Sequence, residues 1–185
     1  DWLFEAILET YVPLLQMLRR HVAEGISTRL TFTMTPTLCA MLRDKLLQDR
    51  AERYLDRGIE LSRLEIERSA SDAALNELAR FYLERFSRAR EFYVKEIARD
   101  VVGAFAQLQN EGVVEIITCA ATHGFLPLME SFPEAMKAQV LIGCDYHREC
   151  FGVSPQGIWL PECGYVPGID RVLQEANLRW FVVDA

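Results

Sequence analysis

GIWLPECGYVPGIDRVLQEANLRWFVVD, Gly157 to Asp184, sets two short apolar runs on either side of a helix-length segment. Gln156–Leu160 and Trp180–Asp184 are rich in aliphatic and aromatic residues and read as strands, and Ile169–Ala176 reads as a helix. Strand, helix and strand in that order argue for a parallel sheet with helices outside it. The first run also ends unusually. It passes from Trp159 and Leu160 into Pro161-Glu162-Cys163-Gly164, so a lone carboxylate follows a core-like strand. Pro161 fixes its own φ and restricts Leu160, and Gly164 permits a tight turn without a Cβ clash.

The alternation continues upstream. Val113–Thr118 (VVEIIT) is a strand, followed by a loop over Ala120–Phe132 and a helix over Pro133–Cys150. Arg29–Thr35 is β-branched and aromatic and reads as another strand. Thr35 then caps, and Pro36 opens, a helix reaching Leu47. Nearer the start, Leu3, Phe4, Ile7, Leu8, Tyr11, Leu14, Leu15, Leu18 and Val22 make one helical stripe, kinked at Pro13 and stopped by Gly25. Residues 49–110 differ from the rest. Arg and Glu alternate there with Leu, Ile, Phe and Tyr, and Ser69, Ser71 and Asp72 divide the run into two long helices. This is far longer than a crossover needs and reads as a helical insertion. Residues 1–185 together read as one α/β domain, and an ending on a bare strand reads as a fragment.

Half of the 185 residues are hydrophobic and a quarter are charged, a globular composition that can bury one sizeable core. The balance of 20 Lys and Arg against 27 Asp and Glu gives a net charge of −7. That disfavours nucleic acid and anionic membranes as partners and suits a neutral substrate. No apolar run is long enough to span a bilayer. Asp1–Glu5 lacks the basic and apolar regions of a signal peptide. Cys39, Cys119, Cys144, Cys150 and Cys163 are odd in number, far apart and form no C-x-x-C pair. Free thiols fit a reducing cytoplasm.

In parallel α/β folds, chemistry gathers where strands end at their carboxyl side. Three places qualify: Cys119–Phe125, Glu162 and Asp184. A carboxylate held rigidly beside an indole, as Glu162 is beside Trp159, is what a glycosidase needs as nucleophile; a surface loop Glu is the plainer reading. Trp159 offers a flat face on which a sugar can stack, and it suits a core position equally. His123 follows a strand beside Gly124 and fits a substrate hydroxyl contact or a structural hydrogen bond. Glu115, inside its strand, fits either an ion pair with an Arg or a sugar-hydroxyl acceptor, since a buried charge is costly unless partnered. Cys163 has no His placed to activate it and reads as a packing residue. With only His21, His123 and His147, a His-rich metal site is not expected, and neither is a cofactor.

GIWLPECGY (Gly157–Tyr165) resembles the segment around the catalytic nucleophile in glycoside hydrolase family 57. VVEIITCAATHGFLPLM (Val113–Met129) resembles an earlier segment of that family, in the form found in its α-1,4-glucan branching enzymes. WLFEAILETYVPLLQML and LTFTMTPTLCAML resemble the region after the family's first strand, so the resemblance covers essentially the whole chain. It implies an incomplete (β/α)7-type barrel with a long helical insertion, present here as an N-terminal partial barrel. It implies Glu162 as nucleophile, with His123, Trp159 and Glu115 lining substrate subsites. The activity implied is 1,4-α-glucan branching, on an amylose- or glycogen-like substrate. A 4-α-glucanotransferase, an α-amylase and a catalytically silent glucan-binding protein remain as alternatives. A barrel-type polysaccharide deacetylase would need an Asp/His/His metal set, which the scattered histidines disfavour. The family's Asp general acid/base belongs to a segment later than Ala185, and Asp184 lies too early to be it. By itself the fragment is expected to be inactive.

Overall fold

The computed structural model describes residues 2–184. Its residues group into two compact units. One runs to Glu24 and resumes over Leu42–Ala104; the other comprises Gly25–Met41 and the chain from Phe105 onward.

The first unit is helical. α1 (Trp2–Ala6) and α2 (Val12–Ala23) are joined by a π-helical turn, Ile7–Tyr11. Pro13 explains the turn. It has no N–H for the Glu9 carbonyl and its ring crowds that carbonyl, so the helix widens by one residue just before it. Val12 N–H bonds to Ile7 O instead. The expected kink thus takes the form of a π turn, and Gly25 carries the expected left-handed dihedral, φ +69°. Leu15 and Leu18 are fully buried on the stripe.

After α3 (Pro36–Arg43), Asp44 starts a new helix, α4 (Lys45–Arg68), by accepting from Leu47 N–H at 2.9 Å. The single helix expected to reach Leu47 is therefore broken at Asp44. Asp72 caps α5 (Ala73–Glu91) in the same way, from Leu75 N–H at 3.1 Å. Each such cap contributes about 1 kcal/mol. α4 and α5 form an antiparallel hairpin. Gly58 of α4 lies where an added Cβ would meet the Phe86 ring at 2.4 Å. Arg90 pairs with Asp56, and with Glu52 at 3.0 Å. A second π turn, Phe92–Glu96, and α6 (Val101–Asn110) follow.

The second unit holds the sheet. β1 (Leu30–Thr33), β2 (Val114–Cys119), β3 (Gly157–Trp159) and β4 (Trp180–Val182) lie in sequence order, all parallel. Leu38 N–H bonds to Thr35 Oγ1 at 3.1 Å, so Thr35 caps α3 as expected. The helices α7 (Pro133–Phe151) and α8 (Ile169–Glu175) connect the later strands. Ala120, Leu126, Val140, Ile158, Leu160 and Ile169 are wholly buried at the centre of this unit. Gly143 brings α7 directly onto β2: a Cβ there would lie 2.4 Å from the Cys119 carbonyl oxygen. Thr118 Oγ1 donates to Gly143 O at 3.1 Å across the same contact.

Candidate active site

The parallel register sets three strand ends side by side. Cys119 of β2 pairs with Trp159 of β3, and Trp159 with Val182 of β4. The chain therefore leaves β2 and β3 at one level, and the two exits deliver His123 and Glu162 to one place. His123 Nε2 lies 3.1 Å from Glu162 Oε1. The imidazole packs on the Trp159 indole, with ring centroids 5.0 Å apart. Its other nitrogen, Nδ1, lies 3.4 Å from Cys119 Sγ. Trp159 Nε1–H points to Cys163 Sγ at 3.4 Å, which orients the indole. Glu162, His123 and Trp159 are thus brought together.

Both exits are backbone-strained. Glu162 (φ +54°), Cys163 (φ +55°) and His123 (φ +57°) all occupy the left-handed region, at a cost of about 1–2 kcal/mol each for a non-glycine residue. The Glu162 turn is closed by Cys163 N–H to Leu160 O at 2.8 Å and Gly164 N–H to Pro161 O at 3.0 Å. Gly164 itself has an ordinary φ of −72°. The turn therefore does not draw on glycine's dihedral freedom. Glycine is required because the Phe125 ring occupies the space, 2.5 Å from where a Cβ would sit.

The His123 loop hangs from α7. Ala121 N–H bonds to Gln139 O and Thr122 N–H to Gln139 Oε1, both at 2.9 Å, while Gln139 Nε2 donates to Thr122 Oγ1 at 2.7 Å. His123 N–H closes the loop onto Ala120 O at 3.0 Å. Nothing in the sequence marked Gln139, because a mid-helix Gln carries no motif. Cys119 opens one of the three expected places, but no role could be read for it, since only the fold shows which side chain its thiol faces.

Electrostatically the site is half open. The Glu162 side chain is 70% exposed and that of His123 33%. Cys119 is wholly buried, and burial pushes its thiol up to about 11, so it keeps its proton at neutral pH.

Glu115 is not brought to this place. It is the second residue of β2, beside Thr31, whose Oγ1 is 3.4 Å from Glu115 Oε2. Four residues of strand, about 13 Å, separate it from Cys119. It is also the exposed position of β2, so the cost expected for a buried charge does not arise. Asp184, after β4, is exposed. Among the described residues, no three His, Cys, Asp or Glu side chains gather as a metal site requires. No helix among them is long and apolar enough to cross a membrane.

The family model for glycosyl hydrolase family 57 matches residues 1–185. The chain belongs to that family. A 1,4-alpha-glucan branching enzyme of Thermococcus kodakarensis is 36% identical over all of this chain, which covers 29% of that protein. A probable 1,4-alpha-glucan branching enzyme of Mycobacterium tuberculosis is 25% identical, with 37% of it covered. Among solved structures, the alpha-amylase AmyC of Thermotoga maritima superposes with a TM-score of 0.92 at 39% identity, over 99% of this chain and 35% of that one. A family-57 branching enzyme of Pyrococcus horikoshii gives 0.91 at 35% identity, over 97% and 36%. The chain thus spans about a third of the length of these relatives. The architecture is α/β, a partial (β/α)7-type barrel of family 57.

Proposed function

We propose that this family-57 protein acts on α-1,4-linked glucans by retaining glycosyl transfer, with Glu162 as nucleophile, and that its product is an α-1,6 branch. One observation carries the reading. A carboxylate stands at the carboxyl end of a strand, on a turn that tolerates left-handed backbone, 3.1 Å from the His123 ring and beside Trp159. Glu162 attacks the anomeric carbon as the glycosidic C–O bond breaks. A second carboxylate, an Asp in the family pattern and about 5–5.5 Å away, protonates the leaving oxygen and then takes the acceptor's proton. His123 holds the attacking carboxylate in one orientation, and Trp159 supplies the apolar face for a sugar ring. Residues 1–185 belong on this reading to one catalytic domain, with 49–110 inserted into it. None of the five cysteines is in a disulfide, which suits a reducing cytoplasm.

The acceptor decides the product. A sugar 6-hydroxyl gives a branch, and water gives hydrolysis. The branching enzymes among the relatives support the first. The likeness to the Thermotoga alpha-amylase supports hydrolysis as a second reading. Intact protein, wild type beside Glu162→Gln, is incubated with amylose, and iodine absorbance, reducing ends and α-1,6 linkages are followed. Branching lowers iodine colour, adds α-1,6 bonds and releases few reducing ends. Glu162→Gln removes the activity by several orders of magnitude while leaving the fold intact. Rising reducing ends would make the protein a hydrolase, and a fully active Glu162→Gln would overturn the nucleophile.

A further inference from the structure

We propose that Cys119 is a positioning residue: its thiol donates to His123 Nδ1, so that the ring is fixed in one orientation with its own proton on Nε2, facing Glu162. The inference deepens the glycosyl-transfer reading and rests on it for its kinetic consequence.

The geometry is a line of three groups. Cys119 Sγ lies 3.4 Å from Nδ1, and Nε2 lies 3.1 Å from Glu162 Oε1. A hydrogen bond to sulfur is normally longer than one to oxygen, so the first distance suits a thiol donor. The three groups differ in how firmly they are held. Cys119 ends β2, pairs with Trp159 in the sheet, and is wholly buried. Glu162 sits on an exposed turn. Order therefore passes outward, from the strand to the ring and from the ring to the carboxylate.

Both anchors are needed to define the ring. A neutral imidazole has one N–H and one bare nitrogen. Rotation by 180° about Cβ–Cγ would turn carbon edges toward Cys119 and Glu162 and break both contacts. A protonated thiol at Nδ1 opposes that rotation from the side that cannot move. It also occupies the lone pair of Nδ1, leaving Nε2 as the site of the ring proton. Burial holds the thiol in the protonated form that this donation needs. Glu162 is the ionisable group at Nε2, and the sulfur of Cys163, one residue further along the turn, is engaged by Trp159 Nε1–H. Gln139 and Thr122 hold the loop backbone, Trp159 packs against the ring, and the two ring nitrogens are left to Cys119 and Glu162.

The test uses intact protein labelled with ¹⁵N at histidine, with the His123 signals assigned through His123→Asn. In the wild type, Nε2 should give the signal of a protonated ring nitrogen, and Nδ1 that of an acceptor shifted by a hydrogen bond. Cys119→Ala should return Nδ1 to the position of an unbonded acceptor. It should also lower kcat on amylose roughly fivefold to tenfold at nearly constant KM, as loss of one orienting hydrogen bond implies. Cys119→Ser, which keeps a donor, should recover most of both. An unbonded Nδ1 in the wild type, which needs no variant to observe, would overturn the inference. So would an alanine variant with unchanged kcat and unchanged His123 signals. If the wild type does no glucan chemistry at all, the proposed function falls, while the ¹⁵N spectrum still decides the thiol contact.

Discussion

At the scale of single residues, the site is built from side chains whose backbones resist their places. Glu162 at φ +54° is where a glycine would sit more easily. On the proposed function, the strain persists because the carboxylate must project from that point of the turn. Glu162→Gly separates the two demands. Relief of about 1–2 kcal/mol of left-handed strain outweighs the roughly 0.5–1 kcal/mol that a glycine adds in unfolded-chain entropy. The variant should therefore be more stable by about 0.5–1 kcal/mol and devoid of glucan activity. Urea unfolding with an unchanged m-value measures the first, and the amylose assay the second. A less stable Glu162→Gly would mean that the carboxylate contributes more to the turn, through His123, than its backbone costs.

At the scale of elements, the contact between α7 and β2 carries the geometry of the His123 loop. Gly→Ala inside a helix ordinarily stabilises by about 1 kcal/mol. At Gly143 the sign should reverse. The added Cβ would face the Cys119 carbonyl oxygen at 2.4 Å, and a strand backbone cannot swing aside as a side chain can. α7 must lift, and with it Gln139, which holds Ala121 and Thr122. Gly143→Ala should destabilise by about 1–3 kcal/mol and lower activity even at temperatures where the protein stays folded. Unfolding curves and kinetics on one preparation check both effects. The same contact shows what the sequence could and could not reveal. The strands, the cap at Thr35, the helix break over Ser69–Asp72 and the places of Glu162, His123 and Trp159 at strand ends were legible, because each rests on local composition or on a motif. Glu115 was placed with the site by resemblance alone; as the second residue of β2 it lies away from the strand's carboxyl end, where the site forms. Gly164 was not legible, since its need for glycine comes from Phe125, thirty-nine residues earlier. The contact of Cys119 with His123, and the hold of Gln139 on the loop, became visible only once register and helix packing had placed them.

At the scale of the whole molecule, stability should depend on pH through a residue remote from this chemistry in its bonding. His147 on α7 is 2% exposed, lies against the Phe151 ring and, among the described residues, has no hydrogen-bond partner at either ring nitrogen. Burial, and to a lesser degree the positive Arg148 beside it, press its imidazole down from 6.5 to about 4. The folded state therefore holds it neutral, while the unfolded chain protonates it near 6.5. Between those values the unfolded state binds the extra proton, so stability rises with pH across that window. The contribution is complete above 6.5 and is lost as pH falls through 4, a change of roughly 3 kcal/mol. Carboxylates paired in the native state also lose their contributions in acid, so the wild-type curve alone does not isolate His147. His147→Leu does. It removes two unsatisfied buried nitrogens and keeps an apolar side chain, so at pH 7 it should match or exceed the wild type. Its advantage should then widen steadily as the pH is lowered from 6.5. A stability difference that stays flat over that range would mean that His147 gains a partner, or reaches water, when it takes up its proton.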